Sequence, residues 1–156
     1  MDISEARNFR RVSGRLLTCG QPSEAQLASA RAAGVQVVVN LALHDDPRYS
    51  LRDERGTVES LGMTYVHIPV RFGAPTEEDL LTFFAAMDEH HDDALLVHCG
   101  ANYRVSAFVG LYDAIRLKRP RAEAFSLMNS VWMPDAVWAH FIENMLSKHG
   151  DREKTG

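Results

Sequence analysis

The chain is short of cysteine. It has only two, Cys19 and Cys99, so no disulfide framework can hold it together, and a reducing compartment is the expected setting. No apolar run approaches the length needed to cross a bilayer. The first residues, MDISEARNFRRV, are charged and lack the apolar stretch of a secretory leader, so a cytoplasmic location is expected. A basic block is also missing. The formal net charge is −4, and the densest basic cluster, RLKRPR at Arg116–Arg121, falls where a helix should end and cations meet the helix dipole favourably. Neither nucleic acid nor a membrane surface is therefore an expected partner. The stretch DEHHDD, Asp88–Asp93, has ligand-type side chains without ligand spacing and reads as a solvated turn. No metal and no cofactor is expected.

What remains is ordinary globular material. The chain has 156 residues, 46% hydrophobic and 24% charged, which suits one conventional core. A single domain over residues 1–150 with a loose tail, 151–156, is expected. Along the chain, GRLLTCG reads as a first strand and PSEAQLASARAAG as a helix, opened by a Ser23–Gln26 capping box and closed at Gly34. Val35–Leu41 is a β-branched buried strand, and a helix over Arg52–Leu61 follows. MTYVHIPV is the next strand. The helix after it has Leu80, Phe83, Phe84 and Met87 on one face. ALLVHC is the most apolar strand and the candidate sheet centre. A helix from Arg104 to Leu117 then turns Val105, Phe108, Tyr112 and Ile115 inward, and two more run over Arg121–Val131 and Pro134–Lys148.

Strands alternating with helices imply an α/β fold with a central, mostly parallel sheet of four to five strands, flanked by helices on both faces. In such folds ligands sit beyond the strand C-termini. Three loops are nominated: the one with Asp45 and Asp46, the one from Arg71 to Ala74, and the one from Gly100 to Arg104.

The third loop carries the chemistry. VHCGANYRVSAF, Val97–Phe108, sets a cysteine at the end of a buried strand just before a helix. Backbone N–H groups and the helix dipole meet there, which favours a thiolate nucleophile. The same N–H groups, from Gly100, Ala101, Asn102, Tyr103 and Arg104, would cradle phosphate oxygens, and an arginine in the first turn would fork to two of them. His98 would order the backbone beneath the cysteine, or be an ordinary buried histidine.

HCGANYRVS resembles the signature loop of the protein tyrosine phosphatase superfamily, H-C-x5-R-[S/T]. The wider order of CGQPSEAQLASARAAGVQVVVNL, GMTYVHIPV, APTEEDLLTFF and LLVHC resembles bacterial dual-specificity-type phosphatases, and most of all the beta-lactamase-hydrolase-like group. The resemblance covers about residues 14 to 117. It implies the cysteine phosphatase fold, a Cys99 nucleophile and a phosphorylated protein or small phosphate ester as substrate.

The spacing departs from the superfamily, since four residues separate Cys99 from Arg104 instead of five. In one register the loop is shortened and Arg104 holds the anion. In the other Val105 occupies the arginine slot, with Asn102 in the glycine place and Ser106 at the usual hydroxyl position. Chemistry favours the first, because valine cannot ligate phosphate and Val105 fits the apolar helix face. Ser106 would ease departure of the thiolate, or bond to helix backbone.

The resemblance also implies a general acid in the loop about 30 residues before the cysteine, and that loop, VRFGAPT, has no carboxylate. The substitutes are Asp79, more simply a helix cap after Thr76, and Asp45 or Asp46 on the crevice rim. WMPD, Trp132–Asp135, reads as a helix start. Cys19 is a buried thiol, or a partner for Cys99 under oxidation. The leading expectation is a phosphatase working through a phosphocysteine, with phosphotyrosine or aryl phosphates favoured. A rhodanese-like sulfurtransferase and a non-catalytic phosphate-binding module are the alternatives.

Overall fold

A computed structural model describes residues 2–44 and 50–150. Asp45, Asp46 and the tail 151–156 lie outside the described residues. After a 3-10 turn at Ile3–Glu5 come β1 (Arg10–Arg11), β2 (Leu16–Cys19), α1 (Glu24–Ala32), β3 (Val37–Asn40), α2 (Glu54–Ser60) and β4 (Thr64–His67). Then follow α3 (Glu77–Glu89), β5 (Leu95–His98), α4 (Tyr103–Ile115), α5 (Arg121–Ala124), α6 (Ser126–Val131) and α7 (Ala136–Met145), closed by a π-turn at Leu146–Gly150.

The five strands form one sheet in the order β1-β2-β5-β3-β4. β2, β5, β3 and β4 are parallel, and β1 pairs antiparallel with β2 at the edge. β5 is central, as its apolar run implies, and β2, β3 and β5 are buried along their whole length, the pattern of strands covered on both faces. Leu17, Val38 and Leu96 pack on one face with Leu27 and Ala30 of α1 and Val58 of α2. Leu16, Val37, Val39, Leu95 and Val97 pack on the other with α3, α4 and α7. Each large apolar side chain sealed in these layers contributes about 1.5–3 kcal/mol.

Local chemistry sets the ends of the elements. Ser23 and Gln26 form the capping box of α1, and Gly34, at φ 104°, takes the left-handed turn after it. Two expectations need correcting. The strand in GRLLTCG is the second, because Arg10–Arg11 forms an edge strand whose partners, Thr18 and Leu17, are tertiary. The helix expected over Arg121–Val131 breaks at Phe125, which has φ −101° and ψ 13°. Phe125 packs so tightly on α4 that a Cβ on Gly110 would meet its ring at 2.4 Å.

The parallel register lines up the strand ends. Cys19 pairs with His98, His98 with Asn40, and Asn40 with His67. A polar row therefore crosses the C-terminal edge of the sheet directly beneath the Cys99 loop.

Candidate active site

β5 ends at His98, the chain passes through Cys99, Gly100, Ala101 and Asn102, and α4 begins at Tyr103. Cys99 is fully buried. Asn102 sits at φ 70°, in the left-handed region, which asparagine tolerates better than other side-chain-bearing residues. Its Nδ2 donates to the Asn8 carbonyl at 2.9 Å and to Thr18 Oγ1 at 3.0 Å. Asn8 Nδ2 donates back to the Ala101 carbonyl at 2.9 Å. The Gln21 N–H donates to the Gly100 carbonyl at 3.1 Å, and the Cys99 N–H to the Cys19 carbonyl at 3.3 Å. Those carbonyls are thus committed to the β2 side, while the first turn of α4 presents N–H groups that have no acceptor within the helix.

Arg104, the second residue of α4, reaches back over this loop. Its Nη1 donates to the Val70 carbonyl at 2.9 Å, and its Nη2 lies 3.4 Å from where a Cβ on Gly100 would stand. Its Nε is buried and has no hydrogen-bond partner among the described residues. A buried donor left unpaired costs about 1–3 kcal/mol, and an oxyanion in the loop would supply its acceptor. Val105 is fully buried in the helix-side core. Val105 thus faces the core while Arg104 turns back over the loop. Ser106 is buried and its hydroxyl donates to the Tyr103 carbonyl at 3.1 Å, the helix-serine arrangement.

Beneath the loop, His98 Nε2 donates to Glu54 Oε2 at 2.6 Å, and its Nδ1 lies 3.4 Å from the Cys99 carbonyl. Gln21 Nε2 donates to the other Glu54 oxygen at 2.8 Å. Burial alone would raise the Glu54 pKa, but the His98 charge and hydrogen bonds from His98, Gln21 and Tyr65 outweigh it and hold the carboxyl below its usual range. Asn40 Nδ2 donates to Tyr65 Oη at 3.0 Å and to His44 Nε2 at 2.9 Å. The His44 and His67 rings stack 4.2 Å apart. Burial, then the neighbouring His67, lowers the His44 pKa.

None of Glu54, Gln21, Asn40, Tyr65, His44 or His67 was marked by sequence reasoning. Glu54 stands in the charged stretch RDER, which looks like a solvated helix start, and only the fold turns it inward against His98. Cys19 is fully buried. Burial first, then the nearby Cys99 and Glu54, pushes its thiol pKa well up, and both cysteines are free thiols.

The acid candidates divide. Asp79 accepts the Thr76 N–H at 3.2 Å while its own N–H donates to Thr76 Oγ1 at 3.1 Å, a reciprocal cap on α3. Asp45 and Asp46 lie outside the described residues. Asp135 accepts the Trp138 N–H at 2.9 Å and starts α7. Among the described residues no group of three or more His, Cys, Asp or Glu side chains is placed to hold a metal, and no helix is long and apolar enough to cross a membrane.

A family model described as "DSP-PTPase phosphatase fused to NAD+ kinase" matches residues 3–133. No curated protein matches the chain. A DUF442 candidate phosphatase from Shewanella putrefaciens CN-32 is 36% identical, with a TM-score of 0.84, over 95% of this chain and 97% of that one. Two more distant structures share the fold. P. aeruginosa TpbA, solved in complex with phosphotyrosine, is 15% identical with a TM-score of 0.65, over 97% of this chain and 86% of that one. The catalytic core of the S. cerevisiae PP-IP phosphatase SIW14 is 14% identical with a TM-score of 0.73, over 96% and 90%.

Proposed function

The chain belongs to the DSP-PTPase phosphatase family whose model it matches over residues 3–133, and from that premise we propose that it hydrolyses phosphate monoesters through a phosphocysteine on Cys99. The single observation that carries this reading is the buried, unpartnered Arg104 Nε beside the Cys99 loop, a donor in want of an anion.

In the first step the Cys99 thiolate attacks phosphorus. The S–P bond forms as the ester P–O bond breaks, and the departing oxygen takes a proton from water. The loop amides from Gly100 to Arg104 and the Arg104 guanidinium hold the non-bridging oxygens, whose charge is concentrated in the transition state. In the second step water attacks phosphorus, the S–P bond breaks, and inorganic phosphate leaves with the thiolate restored. The Glu54–His98 pair positions the backbone under Cys99.

No general acid is assigned. Asp79, in the first turn of the helix after the β4–α3 loop, is engaged as a cap. Substrates should therefore be those whose leaving oxygen departs unaided. A phenol has a pKa of about 10, as for tyrosine, well below that of an aliphatic alcohol, so phosphotyrosine and small aryl phosphates are favoured. The phosphotyrosine bound to TpbA is compatible with that class. The loop holds one arginine and no lysine, which speaks against polyphosphorylated inositols as substrates. Residues 1–150 would act as one unit in this chemistry.

The test is hydrolysis of para-nitrophenyl phosphate at mildly acidic pH by the wild type and by Cys99→Ser. The wild type should turn over and the variant should not. Tight binding of phosphate or vanadate with no turnover by the wild type would instead indicate the non-catalytic phosphate-binding module.

A further inference from the structure

A hydrogen-bonded corner joins the protein surface to the buried Glu54–His98 pair. It is built from Asn40 at the end of β3, Tyr65 on β4 and His44 just beyond β3. Asn40 is fully buried. Its Oδ1 accepts the Ala42 N–H at 2.8 Å, which fixes the amide and leaves Nδ2 as the donor to Tyr65 Oη and His44 Nε2. Tyr65 Oη in turn lies 3.0 Å from His44 Nε2. His44 is exposed, so one end of the corner meets solvent. At the other end Tyr65 is a hydrogen-bond partner of Glu54. The Glu54 carboxylate holds both flanks of the anion loop: His98, before Cys99, and Gln21, whose own N–H donates to the Gly100 carbonyl.

Counting protons gives this corner two settings. Tyr65 has one hydroxyl proton and two acceptors for it, His44 Nε2 and the Glu54 carboxylate. Burial, then the Glu54 charge, pushes the Tyr65 pKa well up, so the proton stays on the phenol. A neutral His44 with a bare Nε2 accepts from this corner and draws the hydroxyl proton away from Glu54. A charged His44 carries a proton on both ring nitrogens. Its Nε2–H can then only donate, Tyr65 Oη becomes its acceptor, and the hydroxyl proton turns to Glu54. The groups that bear on His44 are His67, stacked on its ring at 4.2 Å and held by the Ala42 carbonyl, together with Glu54, Arg55 and His98. Arg55 also lies over the Tyr65 ring at 5.0 Å. Burial, then His67, holds the His44 pKa below its ordinary 6.5, so the setting changes on the acid side of neutrality.

We propose that Tyr65 is a positioning residue that relays the charge of His44 to the Glu54–His98 pair, so that the floor of the Cys99 loop is held more firmly as pH falls. No member of the relay touches substrate. Donation from Tyr65 stabilises the buried carboxylate as an anion and fixes its plane, and that carboxylate is what ties His98 and Gln21 together. The relay stands on the hydrogen-bond geometry of the corner. Its effect on anion affinity rests on the phosphate-binding reading of the Cys99 loop.

The test reads the relay and its consequence separately. The His98 Nε2 proton, buried in a 2.6 Å bond, should give a proton resonance downfield of the amides. Sulfate, a dianion across the whole range, is the anion probe. As pH is taken from about 8 to about 5, the wild-type His98 resonance should shift along the same curve as the His44 ring. Sulfate affinity should rise about fivefold more than in Tyr65→Phe. Tyr65→Phe keeps the ring without the hydroxyl, and His44→Gln keeps Tyr65 without a titrating partner. In both, the His98 resonance should persist, which shows that the pair is still formed, and lose most of its shift. Asp45, Asp46 and the Cys99 thiol are common to all three proteins, so the differences isolate the relay. A wild-type resonance that ignores the His44 titration, or one that shifts equally in Tyr65→Phe, would overturn the relay. A shift that follows His44 while sulfate affinity changes equally in the wild type and Tyr65→Phe would overturn its hold on the loop. The shift intact with no sulfate bound by any of the three would leave the relay standing and sink the phosphate-binding reading.

Discussion

His98 Nε2 donates a 2.6 Å hydrogen bond to Glu54 Oε2, and neither side chain reaches solvent. The bond ties the last residue of β5 to the first turn of α2, and so ties the floor of the Cys99 loop to the opposite layer of the protein. Replacing Glu54 by Ala leaves a buried imidazole N–H without an acceptor, and should lower unfolding stability by about 2–3 kcal/mol, measured by urea denaturation. The pH dependence has a defined sign. The folded Glu54 pKa lies below its ordinary value of 4.5, so its contribution is fully present above that value and is lost as pH falls through the lowered one. The urea midpoint should drop as pH is taken from about 6 to about 3, and Glu54→Gln should show a shallower drop.

Gly20 tests the loop from behind. A Cβ there would stand 2.5 Å from the Gly100 carbonyl oxygen and 3.1 Å from Ala101 Cα, and backbone cannot swing aside as a side-chain tip would. Gly20→Ala should therefore displace the anion loop without touching substrate, lowering kcat/KM for an aryl phosphate about tenfold or more. Vanadate inhibition should weaken in parallel. An unchanged inhibition constant would show that the loop tolerates the methyl group.

Asp79 separates capping from acid catalysis. Asp79→Ala removes half of the reciprocal cap with Thr76 and should cost about 1 kcal/mol of stability while leaving kcat within about twofold. A loss of kcat of about a hundredfold, confined to the basic limb of the pH profile, would make Asp79 the proton donor.

Arg104 Nη1 donates to the Val70 carbonyl, Nη2 stands over Gly100, and Nε has no partner among the described residues. Lysine keeps the charge but not the fork. Arg104→Lys should thus lower kcat about 10²–10³-fold in stopped-assay kinetics, with a far smaller change in thermal midpoint.

The fold was legible because its elements follow simple periods. Val37, Val38 and Val39 on β3 are all buried, as a continuous β-branched run covered on both faces demands, and Leu80, Phe83, Phe84 and Met87 on α3 lie inward as helical spacing demands. The edge strand Arg10–Arg11 was not legible, since two arginines carry no apolar pattern and their pairing is set by β2. The break at Phe125 follows from packing on Gly110, a contact between segments that periodicity along one segment does not register. At the site, Cys99 and Arg104 stood out because a strand, a short loop and a helix were readable around them. Glu54 was hidden by its charged neighbours. The cluster of Phe72, Tyr103 and Trp132 was hidden because its members come from three separated segments. Ser106 stands at the expected distance from Cys99, and its hydroxyl donates to the Tyr103 carbonyl.

The phosphocysteine is the central claim, and trapping it is the most direct measurement. Wild-type protein mixed with para-nitrophenyl phosphate and quenched in acid during turnover should carry one phosphate on the peptide that contains Cys99, and Cys99→Ser should show neither that adduct nor turnover. Turnover by the wild type with no phosphate on that peptide, together with a Cys99→Ser variant that still hydrolyses the ester, would contradict the account.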